Sequence, residues 1–146
     1  MPERGNPAGI YLDYALAQAS ERVRRDLLAA TARHGVPLEV WHILALLQDG
    51  RGRSMGEVAQ AALLSLPTAT RTVDRMVSDS LVYRAPDPAD RRKVLVLASD
   101  RGRALWRKVK RDADRHQNAM ADRFGDEWLR DLIARLDHLA AAPEAD

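Results

Sequence analysis

The stretch from Ser65 to Ser99 limits what this chain can fold into more than any other part of its sequence. It reads SLPTATRTVDRMVSDSLVYRAPDPADRRKVLVLAS, a pattern that predicts an amphipathic helix, a strand, a charged turn and a second strand. Small polar residues and arginines stand at the front of the helix, and the hairpin that follows is basic. A helix of this kind can enter the major groove of duplex DNA, while a hairpin beside it reaches the backbone or the minor groove. These residues therefore indicate a DNA-binding element.

The predicted helix after Ser65 has two faces of opposite character. Ser65 is a suitable N-cap, and Pro67 falls in the first turn, where its missing amide hydrogen costs little. The apolar stripe, which we expect to be buried, consists of Ala69, Val73, Met76 and Val77. The opposite face carries hydroxyl and guanidinium groups, on Thr68, Arg71, Thr72 and Arg75. Asp74 is expected to one side, within reach of Arg71 or Arg75, so the face that would meet DNA has no carboxylate.

Two short strands are predicted at Leu81–Arg84 and Lys93–Ala98. Residues 85–92 between them form a loop that two prolines stiffen, and this loop ends with Asp90, Arg91 and Arg92. Arginine suits a narrow minor groove, so arginines beside aspartates at a stiff tip indicate a side chain positioned to contact DNA. The alternative is that these charges only keep the turn soluble.

Five further helices are predicted from residue spacing and capping residues. They run from Ile10 to Arg33, from Leu38 to Leu47, for a short distance after Ser54, from Ser99 to about Phe124, and from about Glu127 to Ala141. Ser54 and Glu57 have the spacing of a capping box. The last helix has apolar residues along one side, namely Trp128, Leu129, Leu132, Ile133, Leu136 and Leu139. A small winged domain cannot cover the stripes of the long first and last helices, so we expect a homodimer.

Length and composition predict one domain that works in a reducing compartment. The chain has 146 residues, 46% of them hydrophobic and 30% charged, and no cysteine, which excludes disulfides and thiol chemistry. No apolar run approaches the roughly 20 residues of a transmembrane helix, and the N-terminus lacks the pattern of a secretory signal. We therefore expect a cytoplasmic protein with no membrane partner. Residues 51–99 carry a net charge of +3 and residues 100–115 a net charge of +4, which suits a polyanion such as DNA. The alternative, which charge alone favours, is a solvated surface of mixed charge.

Motifs for catalysis or cofactor binding are missing from the sequence. It has no GxSxG elbow, no phosphate-binding glycine loop and no cysteine nucleophile, and its four histidines lack metal-ligand spacing. We therefore expect no enzymatic activity, no cofactor and no metal. The alternative to DNA binding is a winged-helix module that only assembles with other proteins. Such a module would favour an acidic or apolar recognition face, whereas this one carries Thr68, Arg71 and Arg75.

The order of elements and three sequence phrases resemble the MarR family of bacterial winged helix-turn-helix transcription regulators. The phrases are TRTVDRM at 70–76, LVYR with DPADRR at 81–92, and the helix start SDRG at 99–102. The Asp-Pro-x-Asp-Arg-Arg phrase is the most specific of them. The resemblance implies a mainly α fold with a small β-hairpin in a single domain, residues 1–146. Residues 38–99 would form the winged helix-turn-helix, and residues 10–35 and 100–142 would form long dimerisation helices.

The resemblance also implies a dimeric, ligand-responsive repressor that binds a palindromic operator in double-stranded DNA. The base-reading end of the recognition helix would include Pro67, Thr68, Thr70 and Arg71, with Thr72 on the same outward face and Arg75 toward phosphate. At the wing, Arg92 or alternatively Arg91 would enter the minor groove, with Asp90 orienting it.

A small-molecule effector is the remaining partner that the resemblance implies. Trp41 and His42 would border its cavity, between the dimer helices and the winged domain. Core packing is the alternative role for Trp41, as it is for Trp106 and Trp128. The chain departs from the family pattern at Ser80, where a glycine usually follows the recognition helix.

Overall fold

Six helices and one antiparallel hairpin make up the computed structural model, which describes residues 11–143. The elements are α1 (Leu12–Ala32), α2 (Leu38–Leu46), α3 (Met55–Ala61), α4 (Leu66–Ser78), β1 (Val82–Pro86), β2 (Val94–Ala98), α5 (Asp100–Phe124) and α6 (Asp126–Ala141). The order confirms the prediction of a mainly α winged helix-turn-helix with long helices at both ends. The predicted first residue of α1, Ile10, lies outside the described residues. No helix among residues 11–143 is both long enough and apolar enough to cross a lipid bilayer.

Side-chain caps start three of the helices where the sequence predicts them. At α3, the Glu57 amide donates to Ser54 Oγ (3.2 Å) and the Ser54 amide donates to Glu57 Oε2 (2.7 Å), so the capping box is complete. At α4, Ser65 Oγ accepts from the Thr68 amide. At α5, Ser99 Oγ accepts from the Gly102 amide at 3.0 Å. These bonds satisfy amide groups that a helix start otherwise leaves without partners.

The hydrophobic core lies between α2, α3, α4, the hairpin and the first half of α5. Its most deeply buried large side chains are Ile43, Leu44, Leu47, Val58, Val73, Met76, Val96 and Val109. Of the predicted stripe on α4, Ala69, Val73 and Met76 are buried, but Val77 is 37% exposed. The prediction for Val77 was wrong because eight residues of helix rotate it about 80° away from Ala69, to the edge of the stripe.

The two strands pair in register from Val82 opposite Ala98 to Pro86 opposite Val94. Ala85 and Pro86 were predicted in the loop, and that prediction was wrong, because β1 continues through both. β1 pairs on one side only, and a proline at the end of an edge strand removes no needed ladder bond. The wing is therefore longer, and its loop shorter, than the sequence indicated.

A single residue of the α2–α3 connection adds to the other side of β2. Arg53 and Val96 exchange both backbone hydrogen bonds, at 3.0 and 2.7 Å. Gly52, just before it, has φ +73°, and a Cβ there would lie 3.1 Å from Leu95 Cβ. Nothing in the sequence predicts this bridge, because a one-residue strand has no periodicity to detect.

The end of the recognition helix α4 is tied to the start of α5. Ser80 adopts φ +60°, the left-handed conformation expected there of a glycine, and its amide donates to the Val77 carbonyl (3.0 Å). Ser99 then joins the two helices, because its Oγ donates to the Ser80 carbonyl (2.6 Å) and its amide to the Leu81 carbonyl (3.0 Å). Serine thus replaces glycine without loss of the helix ending.

The turn after α1 is attached to the middle of α5. His34 Nε2 lies 2.7 Å from Asp112 Oδ2, and both side chains are mostly buried. The hydrogen bond with His34, helped by nearby Arg115, holds the pKa of Asp112 below its usual value. The end of α1 and the long helix α5 are therefore linked to each other by a polar contact as well as by packing.

Apolar side chains remain exposed along α1 and α6. On α6, the side chain of Leu129 is buried, whereas Trp128, Ile133, Leu136 and Leu139 are 38–49% exposed. Trp128 stacks on Phe124, with ring centroids 4.9 Å apart. Core packing was expected for Trp128 from its apolar neighbours, and that expectation was wrong, because its side chain is 49% exposed. Tyr11, the N-cap residue of α1, is exposed as well, and within α1 the exposed large side chains are Leu12, Tyr14, Val23 and Leu28.

Candidate nucleic-acid interface

Two arginines stand on the solvent-facing side of α4, opposite its buried stripe. Arg71 and Arg75 are exposed and lie one helical turn apart. Within residues 11–143, neither lies within ion-pair distance of a carboxylate. Their full positive charge is therefore available to an anionic partner such as a DNA phosphate or the edge of a guanine base.

Asp74 pairs with the wing rather than with the arginines of its own helix. Arg84 of β1 donates to Asp74 Oδ1 at 2.6 Å, so the expectation that Asp74 orders Arg71 or Arg75 was wrong. The partner is ten residues away and on a different element, where no local spacing rule would find it. The ion pair fixes the recognition helix relative to the hairpin, so the two elements present one continuous surface.

The threonines of α4 use their hydroxyl groups within the helix. Thr70 Oγ1 donates to the Leu66 carbonyl and Thr72 Oγ1 donates to the Thr68 carbonyl, each at 2.9 Å. Thr68 Oγ1 accepts from Ser65 Oγ at 2.8 Å. Because a hydroxyl has one hydrogen, Thr70 and Thr72 can offer a partner only acceptor lone pairs and methyl groups.

The tip of the wing holds one arginine in a defined orientation. Arg92 Nε and the Arg92 amide both donate to Asp90 Oδ1, at 3.1 and 3.2 Å. These bonds hold the pKa of Asp90 below its usual value, so this carboxylate stays charged. The Arg92 side chain nevertheless remains 91% exposed, and Arg91 beside it is exposed as well. The predicted arrangement, in which Asp90 orients Arg92, is therefore present.

A groove of about 360 Å³ runs beside the recognition helix, between α4 and the α1–α2 turn. Its wall is largely apolar, formed by Val36, Pro37, Val40, Met76, Leu81 and Leu105, and its polar rim includes Thr68, Arg71, Thr72 and Arg75. Thr68 and Thr72 are half-buried there. The outward face of α4 that the helix spacing predicts therefore has two parts. Its arginines are exposed to solvent, whereas Thr68 and Thr72 are half-buried at the edge of the groove.

Trp41 and His42 lie side by side on α2, with ring centroids 5.8 Å apart. Trp41 packs against the core, as does Trp106 of α5, and the buried indole Nε1 of each has no hydrogen-bond partner among residues 11–143. Burial, followed by the nearby charge of Arg24, lowers the pKa of His42 below its usual value. Neither Trp41 nor His42 lines the groove beside α4.

The model of the MarR family matches residues 34–93, from the end of α1 to the wing. Over this segment, which contains the winged helix-turn-helix, the chain is similar to the MarR family. It is 25% identical to the homoprotocatechuate degradative operon repressor of Escherichia coli over 130 residues, which cover 89% of this chain and 88% of the relative. The family and this relative are transcriptional regulators, not enzymes.

Solved structures of MarR-family proteins have the same fold as this chain. The transcriptional repressor CouR bound to a 23-mer DNA duplex matches with a TM-score of 0.77 and 28% identity, over 89% of this chain and 92% of that one. CouR bound to p-coumaroyl-CoA matches with a TM-score of 0.75 and 25% identity, over 91% and 94%. The resemblance inferred from the TRTVDRM and DPADRR phrases is confirmed.

Proposed function

We propose that this chain is a ligand-responsive transcriptional repressor that binds a palindromic operator as a homodimer. The observation that carries the proposal is one surface on which two arginines of α4, without an ion-pair partner among residues 11–143, stand beside a wing whose tip arginine is oriented by Asp90. The repressors among its relatives, one of them bound to DNA, support the same function. The protein-assembly alternative is less consistent with a cationic recognition face.

Each part of this surface has a different role in the proposal. Arg71, near the front of α4, contacts a base edge in the major groove, while Arg75 neutralises phosphate. Arg92 enters the minor groove, and Arg91 contributes positive charge beside it. The remaining residues of the recognition helix that we assign to DNA contact are Pro67, Thr68, Thr70 and Thr72.

The dimer would bring two recognition helices together on one operator. The exposed apolar side chains of α1 and α6 are the surface that a second copy would cover, so we assign dimerisation to residues 10–35 and 100–142. Two helices related by a two-fold axis would read half-sites about one helical turn, roughly 10 bp, apart. The operator would therefore be an inverted repeat.

The effector would bind near Trp41 and His42. The buried indole N–H groups of Trp41 and Trp106, which have no acceptor in the described part of the chain, are suitable donors to a ligand with carbonyl or carboxylate oxygens. A relative in complex with an acyl-CoA thioester of an aromatic acid supports an aromatic effector for this chain. Aromatic acids and their thioesters would be screened by quenching of tryptophan fluorescence and by release of operator DNA, and Trp41→Phe should weaken both responses.

A salt titration of variants tests the division of labour between helix and wing. A bidentate Arg–guanine contact is worth about 1–3 kcal/mol of discrimination, so Arg71→Ala should weaken operator binding far more than binding to scrambled DNA. Arg92→Ala should weaken both and flatten the dependence of log K on log salt by about one unit per lost phosphate contact. Arg107→Ala, an exposed arginine of α5, is the matched control and should change little.

Three results would contradict the proposal. Equal loss of operator and scrambled DNA in Arg71→Ala would show that this residue does not read sequence. Unchanged affinities in Arg92→Ala would show that the wing is only a structural hairpin. A gel shift without any DNA binding at low salt would favour the protein-assembly alternative.

A further inference from the structure

Leu63 occupies the turn between α3 and α4 in a strained conformation. Its φ is +55°, and the Leu63 and Leu64 amides donate to the Gln60 and Ala59 carbonyls, at 3.2 and 2.9 Å. This is the helix ending whose left-handed position favours glycine. The Leu63 side chain is 93% exposed, so packing within the chain does not offset the strain. A strained residue that no packing explains is a candidate for function.

Leu63 is not the only exposed apolar residue at this end of the recognition helix. Leu66, the first residue of α4, is 54% exposed, and Pro67 next to it is exposed as well. We refer to Leu63, Leu66 and Pro67 as the apolar front. Pro67 is one helical turn before Arg71 on the same side of α4. Leu66 lies roughly 140° round the helix from Arg71, so it meets a partner at the N-terminal end of α4, beside the surface that holds the proposed base-reading arginine.

Two of the three hydroxyl groups around the apolar front, those of Ser65 and Thr70, already donate their hydrogens within the protein. Ser65 Oγ bonds to Thr68 Oγ1, and Thr70 Oγ1 donates to the Leu66 carbonyl. Apart from Arg71 and the Thr68 hydroxyl, which flanks the groove, the first two turns of α4 therefore present mostly carbon atoms to the edge of a base. In the major groove, the apolar group on a base edge is the 5-methyl of thymine.

We propose that the apolar front, through Leu63 and Leu66, reads thymine 5-methyl groups beside the base pair that Arg71 contacts. This inference rests on the proposed function, because it requires α4 to enter the major groove. It adds a second kind of readout to the first: Arg71 selects guanine by hydrogen bonds, and the leucines select thymine by burying its methyl group.

Replacement of thymine by deoxyuridine tests the proposal directly, because it removes the methyl group and leaves base pairing intact. An operator is first selected from random duplexes with the full-length wild-type protein. Each thymine of a half-site is then replaced by deoxyuridine in turn, and the Kd is measured at one salt concentration. Wild-type protein should bind about fourfold more weakly for each contacted methyl group that is lost.

Three variants show whether the leucines are responsible. Leu66→Ala and Leu63→Gly should bind thymine and deoxyuridine duplexes equally at the contacted position. Leu63→Gly should also unfold at a higher temperature than the wild type, because glycine relieves the backbone strain, so its loss of methyl discrimination cannot be ascribed to instability. Val77→Ala removes an exposed apolar side chain from the far end of the same helix and should keep the wild-type discrimination.

The inference is overturned if wild-type protein binds every deoxyuridine duplex as tightly as the parent operator. It is overturned equally if Leu66→Ala and Leu63→Gly keep the wild-type discrimination. Failure of the selection to enrich any sequence is a different result, because it refutes the sequence-specific function itself.

Discussion

Replacement of Gly102 by alanine should destabilise the protein through a single backbone contact. Gly102 lies in the first turn of α5, where a Cβ would overlap the Leu81 carbonyl oxygen and lie 3.0 Å from Leu44 Cδ2. The same carbonyl accepts the Ser99 amide at 3.0 Å. Because the obstacle is backbone, either α5 or the entry to β1 has to move, and the Ser99 contacts move with it.

The magnitude follows from two opposing effects. Overpacking a well-packed site costs about 1–3 kcal/mol, and contact with backbone places Gly102→Ala at the upper end. Alanine stabilises a helix by roughly 0.5–1 kcal/mol relative to glycine. The free energy of unfolding should therefore fall by about 2 kcal/mol in total. For a domain of this size that corresponds to a fall in Tm of roughly 4–8 °C.

Gly56→Ala is the matched control. Gly56 also lies in the first turn of a helix, but the nearest atom to its added Cβ is Ser54 Oγ, at 4.0 Å. Alanine there should therefore raise Tm by a few degrees. Thermal unfolding followed by circular dichroism, at equal protein concentration, compares the two. If both variants shift Tm in the same direction, the close approach of α5 to Leu81 is not what requires glycine at position 102.

Three further predictions concern assembly, the wing and pH. Replacing Leu132 and Leu136 together by glutamate should give an unfolded or aggregated chain, since the exposed stripe of α6 would lose its cover; a well-folded monomer in sedimentation would contradict the proposed interface. Arg84→Ala should lower the free energy of unfolding by at most about 1 kcal/mol but weaken operator binding severalfold, and adding Asp74→Ala should cost no further affinity if the two side chains act as a pair. His42 has a lowered pKa when folded, so the unfolded chain binds more protons and stability should fall as pH drops through the ordinary histidine range, near 6.5. His42→Gln should reduce that slope in denaturant titrations between pH 7.5 and about 5.

Local rules were enough for most of the secondary structure. The starts of α3, α4 and α5 depend on serine side chains that bond to amides three residues later, so they can be recognised in any context. The apolar spacing of α4 likewise identified Ala69, Val73 and Met76 as buried. The orientation of Arg92 by Asp90 was also within reach of the sequence, because the two residues lie two positions apart in one stiff turn.

Tertiary structure decided the features that join distant segments. Three such features are the Asp74–Arg84 ion pair, the Arg53–Val96 bridge and the contact of Gly102 with Leu81. Each connects residues at least ten positions apart, so the periodicity of the sequence does not predict it. The exposure of Leu63 and Val77 was equally hidden, because both are apolar and only their placement shows that no neighbour covers them. The sequence determines which chemical groups the chain contains. Which side chains are buried, and which groups bond to each other, depends on how the helices pack together.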